Sequence, residues 1–223
     1  MALAALPPRR PARPARRGMP LGLVLLFFAV VCGYLVGTEH PRPVYRHDAL
    51  DRALLYTHIV GASGVLTLGP FLLMRRSRRM AFLPLHHWVG RFYLGAVVAT
   101  SVGGLGVTHI ARGGRAAQLG LAVGFCAWLG TALLTYARVR AHDIPAHRRW
   151  AIRSYAFSLN IGLFGLWAAL FGLALRPLGF GASAGLVAAS WWSWVFDLLI
   201  AQLIIRSILH GPTRSLRRAL TRR

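Results

Sequence analysis

Chemistry in this chain can come from nine histidines, two polar residues deep in apolar segments, and one aromatic–arginine phrase written twice. The phrase is LHHWVGRFY at 85–93 and AHRRWAIRSY at 146–155. Aligned on Trp88 and Trp150, both read W-x-x-R-x-Y, so Arg91 answers Arg153 and Tyr93 answers Tyr155. Tryptophan and tyrosine favour the membrane–water interface, and an arginine stem can lie in apolar surroundings while its guanidinium reaches a phosphate. Trp88, Arg91, Tyr93, Trp150, Arg153 and Tyr155 are therefore read as headgroup or anion contacts.

That reading leaves the histidines unexplained, because histidine is not a typical interface residue. His87 and His147 stand just ahead of the two tryptophans, while His58 and His109 fall near the opposite ends of their apolar runs. Two histidine sets, one per leaflet, are how a membrane b-type cytochrome holds two haems, each iron taking two imidazoles. Haem b is thus the cofactor to expect, with His58, His87, His109 and His147 as ligands. Against it, His87 and His109 are 22 residues apart on one run, a rise of about 33 Å, which pushes both sites to the membrane edges. A metal site of His87, His147 and either Asp143 or His142 is an alternative, but no H-E-x-x-H helix is present and no metal is assigned. The plain reading is structural histidines bonded to helix carbonyls. Deeper, Asn160 and Asp197 fall at matching depths and are expected to pair, because a charge at the bilayer centre costs at least about 2.5–3.5 kcal/mol and calls for a partner or a use.

The elements that must carry these residues are apolar and long. Of 223 residues, 56% are hydrophobic and 14% charged, against about 25% charged in soluble domains. Apolar stretches recur at 20–37, 53–74, 88–110, 117–137, 150–175 and 185–208, and about 20 residues cross a hydrocarbon core of about 30 Å. The fold class expected is an all-α polytopic membrane helical bundle with six transmembrane helices. The net charge is +22, carried by arginine with no lysine, and it gathers before the first stretch and after the second, fourth and sixth. That alternation is the positive-inside pattern, so both termini are expected to be cytoplasmic. The domains expected are a basic disordered tail at 1–19, a six-helix membrane domain at 20–210 and a basic tail at 211–223. The first stretch lacks an A-x-A cleavage site and is expected to be a retained helix. Cys32 and Cys126 have no metal or disulfide spacing. G-x-x-x-G spacings at Gly33/Gly37, Gly120/Gly124 and Gly181/Gly185 are compatible with close helix crossings.

YTHIVGASGVLTLGPFLL at 56–73, HHWVGRFYL at 86–94 and AWLGTALLTYARVRAHDIPAHRRWAIRSYAF at 127–157 resemble the bacterial membrane-protein family catalogued as domain of unknown function 2306. The resemblance covers about residues 55–170. It implies a multi-span membrane domain and brings no established reaction, cofactor or partner. It places His58, His87, Arg91, His147, Trp150, Arg153 and Tyr155 on the family's recurring polar sites. An arginine often found further along the fifth stretch is missing here, where the chain reads GLFGLW at 162–167.

No phosphate-binding glycine loop, nucleophile–base pair or paired carboxylate is written in the chain, which argues against soluble-type hydrolysis. Two functions remain. One is a b-type-cytochrome-like or quinone-linked redox component of the bacterial inner (plasma) membrane. The other is a non-catalytic carrier or accessory subunit that binds lipid headgroups or a small solute. The partners expected are the bilayer, anionic lipid headgroups and a membrane protein or second copy, with no nucleic acid.

Overall fold

The computed structural model describes residues 49–74, 76–181 and 183–210. The expected first span at 20–37 and both tails, 1–19 and 211–223, lie outside the described residues. Within them, five helices follow one another: α1 (Ala49–Leu73), α2 (Leu83–Gly106), α3 (Gly114–Arg140), α4 (Ile144–Leu175) and α5 (Ala184–His210). No strand occurs among the described residues. The helices correspond to the second through sixth apolar stretches.

Four of them, α1, α3, α5 and α4 with its continuation to Leu178, are long and apolar enough to cross a membrane. α2 has 24 residues, yet Arg91, Tyr93 and its glycines dilute its apolar character. Connections are short because their residues stop helices well. Gly113 and Gly114 both take positive φ, at 96° and 74°, and turn the chain into α3. At the other end of α3, His142 adopts φ 57°. Asp143 then caps α4, its Oδ1 accepting the Ala146 N–H at 3.0 Å. This cap and the proline in the first turn start α4 at Ile144, six residues ahead of the expected span at Trp150.

Packing inverts the pattern of a soluble protein. Ser63, Thr100, Ser101, Ser154, Ser158, Ser190 and Ser193 are buried, while leucines along α4 and α5 such as Leu163, Leu170, Leu199 and Leu203 face outward. Lipid tails are as apolar as leucine, so helices associate through close contact of small residues and hydrogen bonds rather than by hiding leucine. α1 pairs with α2 and α4 pairs with α5, and α3 joins the two pairs. Val65, Tyr93, Val97, Trp128, Ala132 and Phe157 meet in the centre. Glycines permit the closest approaches. A methyl group at Gly61 would stand 2.7 Å from the Thr100 nitrogen. One at Gly103 would stand 2.7 Å from the His58 nitrogen.

Candidate functional site

The α1–α2 contact fixes His58. Its Nδ1 lies 2.8 Å from the Thr100 carbonyl oxygen and 3.2 Å from Thr100 Oγ1. The Thr100 hydroxyl in turn donates to the His58 carbonyl at 2.8 Å. A carbonyl oxygen only accepts, so Nδ1 carries the proton and Nε2 keeps its lone pair. Phe125 of α3 meets the imidazole edge to face, centroids 5.4 Å apart, which further restrains the ring.

His58 lines a cavity of about 340 Å³ bounded by α1, α3, α4, α5 and the end of α2 with its connection at 107–111. Phe125, Trp128, Phe157, Phe164 and Trp194 supply flat apolar walls, and Asn160, Ser190 and Ser193 supply polar atoms. The indoles are held in place: Trp128 Nε1 donates to the Ser154 carbonyl at 2.9 Å and Trp194 Nε1 to the Ser190 carbonyl at 3.1 Å. Phe157 and Trp194 stack, 16° from parallel. Asn160 Nδ2 donates to Ser193 Oγ at 2.8 Å. Nε2 of His58 is thus the ring nitrogen left to a guest.

Other expected site residues fall elsewhere. Asn160 bonds Ser193 and not Asp197, because the antiparallel register of α4 and α5 sets it one turn away from the carboxyl. Asp197 is 4% exposed, and its Oδ2 has no hydrogen-bond partner. The Trp167 indole lies beside that carboxyl, but its buried N–H makes no hydrogen bond of proper geometry either. His109 does not join His58. It sits in the turn after α2, 60% exposed, with Nε2 3.4 Å from Asp51 Oδ2 and Nδ1 2.9 Å from the Gly106 carbonyl. Nδ1 donates to that carbonyl, and Nε2 can pair with the carboxylate only in the protonated ring.

At the arginine-rich end, His86 rather than His87 is the ring turned inward. His87 is exposed, whereas His86 Nδ1 lies 3.3 Å from Ser77 Oγ. His86 precedes the apolar run that begins at Trp88. Burial and then the neighbouring His147, His87 and Arg78 push its pKa below that of free histidine. His147 itself donates from Nδ1 to the Thr135 carbonyl at 2.9 Å. Asp143, weighed above as a metal ligand, is occupied as the α4 cap.

The doubled phrase folds the same way twice at its arginines. Arg91 stacks over Trp88 at 4.9 Å and Arg153 over Trp150 at 4.7 Å. An i, i+3 spacing on a helix sets each guanidinium on its indole. The copies then diverge. Arg153 also donates to Gln202 Oε1 at 2.8 Å, so it is tied to α5, while Arg91 is exposed. Tyr93 is buried, 8% exposed, with its hydroxyl 3.2 Å from Ser154 Oγ and 3.4 Å from Ser158 Oγ. It is a core residue rather than a headgroup contact. Tyr155 packs its ring on Gly69 of α1, where a side chain would collide with it. His86 lies near enough to His147 to feel its charge and Tyr93 bonds Ser154, two pairs at the same sequence offset, which is the mark of parallel helices.

Thr100, Phe125, Trp128, Trp194 and Ser193 were invisible as site residues in the sequence. Nothing in their spacing separates a cavity wall from ordinary packing, although a threonine in a glycine-rich helix was a mild pointer to interhelical bonding.

These features define a helical membrane protein with a half-open cavity among its helices and a hydrogen-bonded polar interior. The profile of the predicted membrane protein family, domain of unknown function 2306, matches residues 55–205. The chain belongs to that family, and the match takes in the described helices nearly whole. No curated protein and no solved structure matches the chain.

Proposed function

We propose that this protein is a membrane-embedded binding protein whose cavity takes a flat, largely apolar ring bearing a hydroxyl, that is, a phenol or quinol. The observation that carries this reading is the His58 tautomer. With Nδ1 spent on the Thr100 carbonyl, the nitrogen left for the cavity is an acceptor, so a guest must bring a donor. Aromatic walls suit a ring. A volume of about 340 Å³ lies at the small end of ligand pockets, about 300–1,000 Å³, and admits one or two rings. Asn160 and Ser193 across the cavity can bond a second oxygen.

In this reading the arginine-rich ends of the helices face the cytoplasm, α2 crosses alongside α1, and the cavity lies in the outer half of a bacterial plasma membrane. Quinol binding serves both expected functions, a redox component and a carrier. Haem has less support, because among the described residues the cavity offers one imidazole.

The test is quenching of Trp128 and Trp194 fluorescence in the purified protein by a short-chain quinol and by its dimethyl ether. The quinol is expected to bind at least about tenfold tighter, the worth of a hydrogen bond that leaves a buried acceptor unmet when lost. Equal binding of the ether removes the acceptor role of His58. A reduced-minus-oxidised spectrum of protein expressed with ample haem is expected to be featureless, and sharp cytochrome bands overturn the proposal.

A further inference from the structure

A second concavity lies on the opposite side of α1, open to the surroundings. It is a groove of about 680 Å³ between α1 and α2. Gly61, Gly64, Gly95, Ala96 and Ala99 line it. Tyr56, Val60 and Phe92 also border it and are 59%, 70% and 66% exposed. From Tyr56 to Leu68 along α1 it runs about 18 Å. Its charged residue is Arg91, at the arginine-rich end, with the guanidinium laid on the exposed Trp88.

We infer that this groove is a built site for one acyl chain of an anionic phospholipid, whose phosphate Arg91 holds. A helix about 10 Å across would meet the bulky exposed residues before the small ones, whereas a single polymethylene chain fits between them. Two copies in one membrane share their orientation. A twofold contact here would therefore bring Arg91 of each to the same depth, face to face, with no acid among the lining residues to separate them. An anionic headgroup satisfies the guanidinium instead, and the Trp88 face holds it ready. Gly95 carries a second indication. A side chain there would meet nothing within 4 Å, so the absence of one keeps the groove open without serving helix packing.

Native mass spectrometry of the full-length protein, delipidated and titrated with phosphatidylglycerol or phosphatidylcholine of the same chains, reads the site directly. One phosphatidylglycerol is expected to be retained in preference to phosphatidylcholine. Arg91→Gln is expected to weaken it about tenfold, the loss of a charge-assisted bond, and to erase the preference. Gly95→Leu is expected to abolish retention of both lipids. Gly130→Leu, on α3 and equally free of neighbours, serves as the control and leaves binding unchanged. Thermal unfolding of each variant in detergent is expected to match the parent. Retention unaltered by both groove variants overturns the inference. A parent that is dimeric in detergent and becomes monomeric with Gly95→Leu also overturns it, by making the groove a self-interface.

Discussion

His58 shows how one backbone carbonyl decides what a side chain can recognise. Replacing it with alanine is expected to abolish quinol binding, while Thr100→Val, which keeps the carbonyl acceptor, is expected to weaken it by less than tenfold. Fluorescence titration of both variants checks the pair. Tyr93→Phe removes a buried hydroxyl from Ser154 and Ser158. It is expected to cost about 0.5–1.5 kcal/mol, read as a lower unfolding temperature in detergent with quinol affinity preserved. Asp197 differs in kind, since its Oδ2 is buried without a partner. Asp197→Asn is expected to leave the unfolding temperature equal or higher, and a fall of several degrees would reveal a partner for the carboxyl. His86 is the residue to follow with pH. Its folded-state pKa lies below that of free histidine, so folding favours the neutral ring. Its stabilising share is complete above about pH 6.5 and is lost as the pH falls toward the lowered value. Unfolding temperatures between about pH 5 and 8 are expected to drop less steeply on the acid side in His86→Gln.

Among the elements, glycine position matters more than glycine number. Gly61 and Gly103 let α1 and α2 touch backbone to backbone, and that contact brings Thr100 to His58. Gly61→Leu therefore overpacks the pair, at a cost of about 1–3 kcal/mol, and is expected to lower both the unfolding temperature and quinol affinity. Gly130→Leu on α3 changes neither. The doubled phrase is also a matter of elements. Both copies build the same indole–guanidinium pair, but α4 is covered by α5 at Arg153 through Gln202, while α2 leaves Arg91 exposed. Identical spacing thus yields one structural arginine and one available arginine.

At the scale of the described helices together, two pairs bridged by α3 leave a half-open cavity among them and a shallow groove on the outer side of α1 and α2. Single cysteines placed at Arg78 and Arg112 in a cysteine-free background test the orientation. Residue 78 is expected to be labelled from the cytoplasmic side and 112 from the opposite side by an impermeant maleimide. Labelling of both from one side would rule out a crossing by α2.

Helices of this length and polarity were legible in the sequence, because apolar run length answers directly to membrane thickness. So was the parallel course of α2 and α4, which alternating spans require. The arginine–tryptophan stacking was not, since both side chains were expected at the headgroups. Family membership was legible from the same strings. The grouping of histidines was not. Depth along a helix says nothing about the direction around it, so His58 and His109 looked like partners although one ring faces a cavity and the other lies exposed beside Asp51. The same blindness paired Asn160 with Asp197 and chose His87 over His86. Only the packing of the helices, set by where glycine lets backbones meet, decided which polar atom faced which.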